Sequence, residues 1–258
     1  MARELDGTAA RLGREVRARA RPLSGRFKRV VEAQFRNSTR KLVDSDEEQR
    51  VLEELIDARA KLPVPEGFEG VHYLLYTPFR HPPLRHGSRF GTRRERGILY
   101  GARELPTAFA EVAYYRLVFL EGTAAPLAPL TVELTSFSFR ISAARGLDLT
   151  GEPFRNFEGR ISSPVSYRDS QRLGARMREE GVQACLYVSA RARGRAVNLA
   201  VLENVFRPPR PLDEQRWSCT ASRERVEFRA QRLLVRSEVH AFERAQFLVE
   251  GRLPAPAL

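Results

Sequence analysis

Residues Arg85–Val112 read RHGSRFGTRRERGILYGARELPTAFAEV, and three local signals follow one another in this stretch. Gly87 and Gly91 flank a short loop carrying Arg89. GILYGA, Gly97–Ala102, is short and β-forming, which predicts a strand. Pro106–Thr107 then opens a helical segment, PTAFAEVAYYRLVFLEG, that closes near Gly122. Glu111 interrupts an otherwise apolar run. Phe109, Val112, Ala113 and Leu120 form one stripe, and Ala108, Tyr115, Val118 and Phe119 cover much of the opposite side. A helix apolar nearly all round is expected to be largely buried. A carboxylate on it is costly unless it is paired or used. Two readings stay open: an ion pair with one of the many arginines, or a functional anion.

The spacing upstream bears on that choice. Arg89, Tyr100 and Glu111 are each eleven residues apart and fall on a loop, a strand end and a helix. Three such elements can converge on one cleft. Arginine offers a rigid fork for phosphate, tyrosine an aromatic face with a hydroxyl, and glutamate a full negative charge. A dinucleotide with a cationic leaving ring needs that set.

Outward from this stretch, residues 1 to about 62 read as helical and polar. Ser45 and Glu48 form a capping box, followed by Val51, Leu52, Leu55 and Ile56 at helical spacing. PVPEG, Pro63–Gly67, marks a boundary. VHYLLY (Val71–Tyr76), PLTVELTSFSF, ACLYVS, AVNLAVLENVF and RVEFRAQRLLVR are strand-like. SPVSYRDSQRLGARMREEG predicts a loop entering a helix that stops at Gly181. The pattern predicts an α+β fold: small mixed, mainly antiparallel sheets with flanking helices. The expected division is a helical N-terminal extension over 1–65, a catalytic domain over 66–235 and a C-terminal tail over 236–258 with a frayed RLPAPAL end.

Composition narrows the function classes. The 258 residues carry 44 Lys+Arg against 32 Asp+Glu, a formal charge of +12. A basic surface attracts phosphates of every kind. No zinc-finger spacing or RNP-type aromatic motif is present, so direct nucleic-acid binding is not expected. Cys185 and Cys219 cannot make a disulfide framework or a zinc site. His81, His86 and His240 lack ligand spacing, and no metal is expected. There is no apolar run of membrane-spanning length and no secretory signal, so a cytoplasmic location is expected.

The stretch LLYTPFRHPPLRHGSRFGTRRERGILYGARELPTAFAEVAYYR resembles the RES domain family. Arg89 in its G-x-R-F setting, Tyr100 in an LY strand and Glu111 on a TA-containing helix match the family's order and spacing. Tyr187, Ser189 and Arg191 in CLYVSAR match the downstream Y-x-S-x-R, and a further family arginine is best matched by Arg80. The resemblance spans about 70–230. It implies an ADP-ribosyltransferase-like fold and a toxin that destroys NAD+, in some relatives by phosphorolysis. Other relatives transfer ADP-ribose to a protein. It also implies an Xre-like helix-turn-helix antitoxin as partner. NAD+ is then substrate, inorganic phosphate a possible co-substrate, and no cofactor is needed; a homo-oligomer is left open.

Within that expectation the chemistry is simple. Nicotinamide leaves NAD+ as a neutral molecule, so no general acid is required, in contrast to ordinary glycoside hydrolysis. The demand is to stabilise cationic character on the ribose, which an ionised Glu111 beside it can meet. An arginine nearby would keep that carboxylate charged. Arg89 is expected to clamp either the diphosphate or free phosphate, Tyr100 to pack on nicotinamide or ribose, and Ser189 to hydrogen-bond carboxamide or ribose. Arg80 and Arg191 complete the expected substrate-binding set.

Overall fold

The computed structural model describes residues 14–32, 45, 47–48, 51, 63–81, 86–124, 127–231 and 238–254. The fold is α+β, with one mainly antiparallel eight-stranded sheet and few helices. The strands are β1 (Arg21–Glu32), β2 (Leu99–Ala102), β3 (Leu130–Asp148), β4 (Ala184–Val188), β5 (Val197–Val201), β6 (Leu212–Ala221), β7 (Arg225–Ala230) and β8 (Val239–Glu243). The helices are α1 (Tyr73–Arg80), α2 (Leu105–Glu121), α3 (Glu158–Ile161) and α4 (Arg168–Glu179). Strand order is β1-β2-β5-β4-β3-β6-β7-β8, and β1 also pairs with β3. That extra pairing closes β1, β2, β5, β4 and β3 into a ring. Side chains from all five strands fill it, among them Phe27, Leu99, Phe139, Leu186 and Leu199, and α1 adds Leu74, Leu75 and Phe79.

β3 is long because it serves two structures. It pairs with β1 from Leu134 to Gly146, with β6 from Leu130 to Ser138, and in parallel with β4 over Gly146–Asp148. The wing β6-β7-β8 lies outside the ring. α2 packs on it through Phe109, which stacks on Phe228 at 4.3 Å and meets the Trp217 edge at 4.8 Å. A third cluster sets α4, through Leu173 and Met177, against Cys185, Tyr187 and Ala200. The fourteen buried residues of this cluster exclude water from that face.

Several local expectations change in three dimensions. VHYLLY is not a strand: His72 caps α1 by accepting from the Leu74 N–H at 3.3 Å, and Leu74, Leu75 and Phe79 share the buried face. Pro78 forfeits only the bond its N–H would have donated to the Leu74 carbonyl. The N-terminal region is helical over residues 14–19, and then RPLSGRFKRVVE becomes β1. Long-range pairing with β3 overrides local helix preference there, as tertiary context does for weak propensities. The capping-box bond from the Glu48 N–H to Ser45 Oγ is present at 3.2 Å, while Leu52, Leu55 and Ile56 lie outside the described residues. β8 makes residues 239–243 part of the sheet rather than of a tail. The Pro254 carbonyl accepts from the Tyr114 hydroxyl at 2.5 Å, and residues 255–258 lie outside the described residues.

Candidate active site

α2 is apolar all round but not buried all round. Ala108, Phe109, Ala113, Tyr114, Leu117 and Leu120 are buried, whereas Tyr115 and Phe119 are 53% and 61% exposed. The surplus apolar side is the wall of a cavity of about 700 Å³, which Ala108, Glu111, Val112, Tyr115 and Phe119 line. Its other walls come from β1, β2, Ser88–Arg89, Tyr167, Tyr187 of β4 and Asn198 of β5. Because Tyr115 and Phe119 are exposed, the cavity reaches the surface.

Sheet register explains why residues so far apart in sequence meet. Ala102 of β2 is paired with Lys28 on one side and Asn198 on the other, and Asn198 is paired with Tyr187. The four form one row across β1, β2, β5 and β4. Glu111, on the helix that follows β2, reaches this row. Its Oε1 accepts from Asn198 Nδ2 and from Ser189 Oγ, each at 2.7 Å. Ser189 Oγ in turn accepts from the Arg191 and Ala192 N–H groups, both at 3.1 Å, so its hydroxyl hydrogen is directed at the glutamate. The expected arginine partner is absent: among the described residues Glu111 makes no ion pair, and two neutral donors hold it instead. Hydrogen bonds to a charged acceptor are worth about 1.5–3 kcal/mol each, and two neutral donors bring no positive charge to offset a carboxylate there.

The glycine loop is tightly built. The Ser88 N–H donates to the Gly91 carbonyl at 2.7 Å, and Gln171 Nε2 of α4 donates to the carbonyls of His86 and Ser88 at 3.0 Å each. Two glycines make the packing feasible. Gly87 has φ +71°, and a Cβ on Gly174 of α4 would lie 1.9 Å from the Phe90 carbonyl oxygen. The Tyr100 hydroxyl donates to Ser88 Oγ at 2.8 Å and accepts from the Phe90 N–H at 3.1 Å. Tyr100 therefore fastens strand to loop while its ring lines the cavity, and burial raises its phenol pKa above the ordinary value. Arg89 Nη1 donates to the carbonyls of Ile161 and Ser163 at 3.1 and 3.0 Å. Its guanidinium lies 4.9 Å from the Tyr167 ring and 5.9 Å from that of Tyr187. Arg89 is thus held by carbonyls and aromatic faces, and among the described residues no carboxylate pairs with it at the cavity wall.

Arg89, Tyr100 and Glu111 line the one cavity, and Ser189 supports Glu111 from behind. Arg191 and Arg80 do not line it. Arg191 donates from Nη2 to the Pro164 carbonyl at 3.0 Å and stacks 3.5 Å from the Tyr114 ring centroid, bracing the 162–166 loop. Arg80 ends α1, and its Nε is buried without an acceptor. Sequence reasoning passed over Asn198 and Arg29. Asn198 is 1% exposed and sits in the apolar run VNLAV, the same kind of anomaly as Glu111. Its Oδ1 is buried without a donor. The Tyr115 and Tyr167 hydroxyls are 3.2 Å apart. Among the described residues no His, Cys, Asp and Glu cluster is placed to hold a metal, and no helix is long and apolar enough to cross a membrane.

The family model described as RES domain matches residues 64–222. That span includes Arg89, Tyr100, Glu111, Ser189 and Asn198, but not β1. A chain of the crystal structure of the M. tuberculosis MbcT–MbcA toxin–antitoxin complex is similar over 74% of this chain and 80% of that one, at 15% identity and a TM-score of 0.44. No curated protein matches the sequence.

Proposed function

The chain belongs to the RES domain family, and on that premise we propose that it is the toxin of a toxin–antitoxin pair and cleaves the nicotinamide–ribose bond of NAD+. The observation that carries the reading is Glu111: an anion gripped by Ser189 and Asn198 and turned to a cavity that also presents Arg89. In the proposed step the bond between ribose C1′ and the nicotinamide nitrogen breaks. Its electron pair leaves with nicotinamide, which departs neutral. C1′ becomes cationic, stabilised by the Glu111 carboxylate, and an oxygen of phosphate or water bonds to it. Phosphate gives ADP-ribose phosphate; water gives ADP-ribose and a proton. Stabilisation of this kind in a preorganised site is worth roughly 2.7–4 kcal/mol. The tyrosine-lined walls around Glu111 suit a flat ring.

The partner this reading implies is an Xre-like helix-turn-helix antitoxin. An acidic segment of such a protein would be drawn to a chain of charge +12. To test the reading, purified protein is incubated with NAD+, with and without inorganic phosphate, and nicotinamide and the ribose product are resolved by chromatography. Wild type is expected to release nicotinamide, and Glu111→Gln to lower the rate about 10²–10³-fold. No release by wild type, or equal rates in the two proteins, overturns the proposal. ADP-ribose recovered on a protein instead of free would assign the chain as a protein ADP-ribosyltransferase.

A further inference from the structure

Arg191 lies past the end of β4, in the turn to β5, and its side chain is buried. It does not line the cavity, and among the described residues no carboxylate pairs with it. A guanidinium taken out of water is costly unless its surroundings repay it. Here two neutral groups do so. The guanidinium lies 3.5 Å from the Tyr114 ring centroid, and its Nη2 donates to the Pro164 carbonyl at 3.0 Å. A planar fork can stack on a ring and donate to a carbonyl at once; an ammonium has no flat face with which to do so.

The two partners belong to different parts of the site. Tyr114 is buried on α2, three residues beyond Glu111 and so on a neighbouring turn. Pro164 belongs to the loop 162–167 that joins α3 to α4. The carbonyls on either side of Ser162, those of Ile161 and Ser163, accept from Arg89 Nη1, and the Tyr167 ring lies 4.9 Å from the Arg89 guanidinium. Two carbonyls and one ring of segment 161–167 thus seat Arg89. The loop has its own internal bonds: Ser163 Oγ accepts from the Val165 and Ser166 N–H groups at 3.3 and 3.2 Å. Ser162 Oγ donates to the Val188 carbonyl at 2.6 Å, which ties the loop to β4. The tie to α2 is made by Arg191, with the Tyr115–Tyr167 hydroxyl contact beside it.

We propose that Arg191 is a positioning residue: stacked on Tyr114 and bonded to Pro164, it sets segment 161–167 against α2 and thereby seats Arg89, without touching a ligand itself. The inference rests on the NAD+ reading and deepens it. It replaces the substrate contact expected of Arg191 with an action through Arg89.

The test is a double-mutant cycle on the full-length chain, with nicotinamide release followed at varied NAD+ and at varied phosphate. Arg191→Met keeps the length of the side chain and loses the fork; the backbone N–H that donates to Ser189 Oγ remains. It is expected to raise KM for NAD+ or for phosphate about tenfold with kcat within about threefold, because Glu111 keeps its Ser189 and Asn198 bonds. Added to Arg89→Met, it is expected to change KM no further. Should Arg191→Met fail to fold, Arg191→Lys keeps the charge without the flat face and is expected to raise the same KM about threefold. Hydrogen exchange at the Val165 and Ser166 N–H groups, measured without NAD+, is expected to quicken about tenfold in Arg191→Met. An Arg191 that serves stability alone lowers the melting temperature and leaves KM at the wild-type value. That result, additive effects in the cycle, or unchanged exchange in the loop overturns the inference. No nicotinamide release by wild type, with exchange quickened as expected, sinks the NAD+ reading and leaves the seating of the loop by Arg191 standing.

Discussion

Replacing Asn198 by leucine separates stability from activity at one atom pair. Leucine keeps the branched shape of asparagine, so the 1% exposed site is not emptied. Two polar atoms disappear. One is Nδ2, which donates to Glu111 Oε1 at 2.7 Å; the other is Oδ1, which is buried without a donor. Deleting the unpartnered carbonyl relieves a desolvation cost of about 1–3 kcal/mol, and losing the donor gives back about 1.5–3 kcal/mol. The two nearly cancel, so the free energy of unfolding in urea is expected to change by no more than about 1 kcal/mol. The rate has no such compensation. Glu111 keeps the Ser189 bond but loses half of its grip, and a charged hydrogen bond of about 1.5–3 kcal/mol corresponds to roughly 10- to 150-fold in kcat. Nicotinamide release under saturating NAD+ reads the rate, and a urea curve on the same preparation reads the stability. A variant that retains its rate within about twofold would refute the idea that Asn198 orients the carboxylate. One that loses several kcal/mol of stability would show instead that the asparagine is a packing element.

Two further tests address the surroundings. Gly174→Ala sets a Cβ 1.9 Å from the Phe90 carbonyl oxygen; it is expected to cost about 1–3 kcal/mol, or roughly 2–12 °C in melting temperature, and to displace the loop carrying Arg89. An unchanged melting temperature and rate would mean that α4 does not position the loop. Arg160 Nε donates to Asp169 at 2.8 Å and holds that carboxyl below the ordinary value. Its contribution is therefore complete above about pH 3.9 and is lost as pH falls through the folded value. Arg160→Ala is expected to flatten the decline of the urea midpoint below about pH 4; identical slopes in the two proteins would count against the pair.

Much of the site could be read from the sequence because its anomalies are local. A glutamate in an apolar helix, an arginine between glycines and a tyrosine at a strand end each stand out against their neighbours. The spacing of Arg89, Tyr100 and Glu111 then follows from one loop, one strand and one helix in succession. Ser189 was also legible, but its job is different: it aims a hydroxyl at Glu111. Asn198 carries the same signal as Glu111, a polar side chain inside VNLAV. β1 was misread because its partners are more than a hundred residues away on β3, and charges at Arg26, Lys28 and Arg29 blur its alternation. VHYLLY was misread because adjacent leucines suit a strand locally, whereas the His72 cap is recognised only in three dimensions. The arginine expected beside Glu111 failed for a physical reason. Neutral donors position a carboxylate without cancelling the field that a cationic transition state needs.

The five-membered ring of strands has a consequence for what counts as the smallest working unit. Remove β1, and the staves on either side of it are left with unsatisfied backbone edges where the circle had been complete. The interior packed around Phe27 would then open to water on the side that faces the cavity. A fragment trimmed to begin where the family signature begins would be a hoop with one stave missing. Its boundary is drawn by closure, not by where the recognisable letters start.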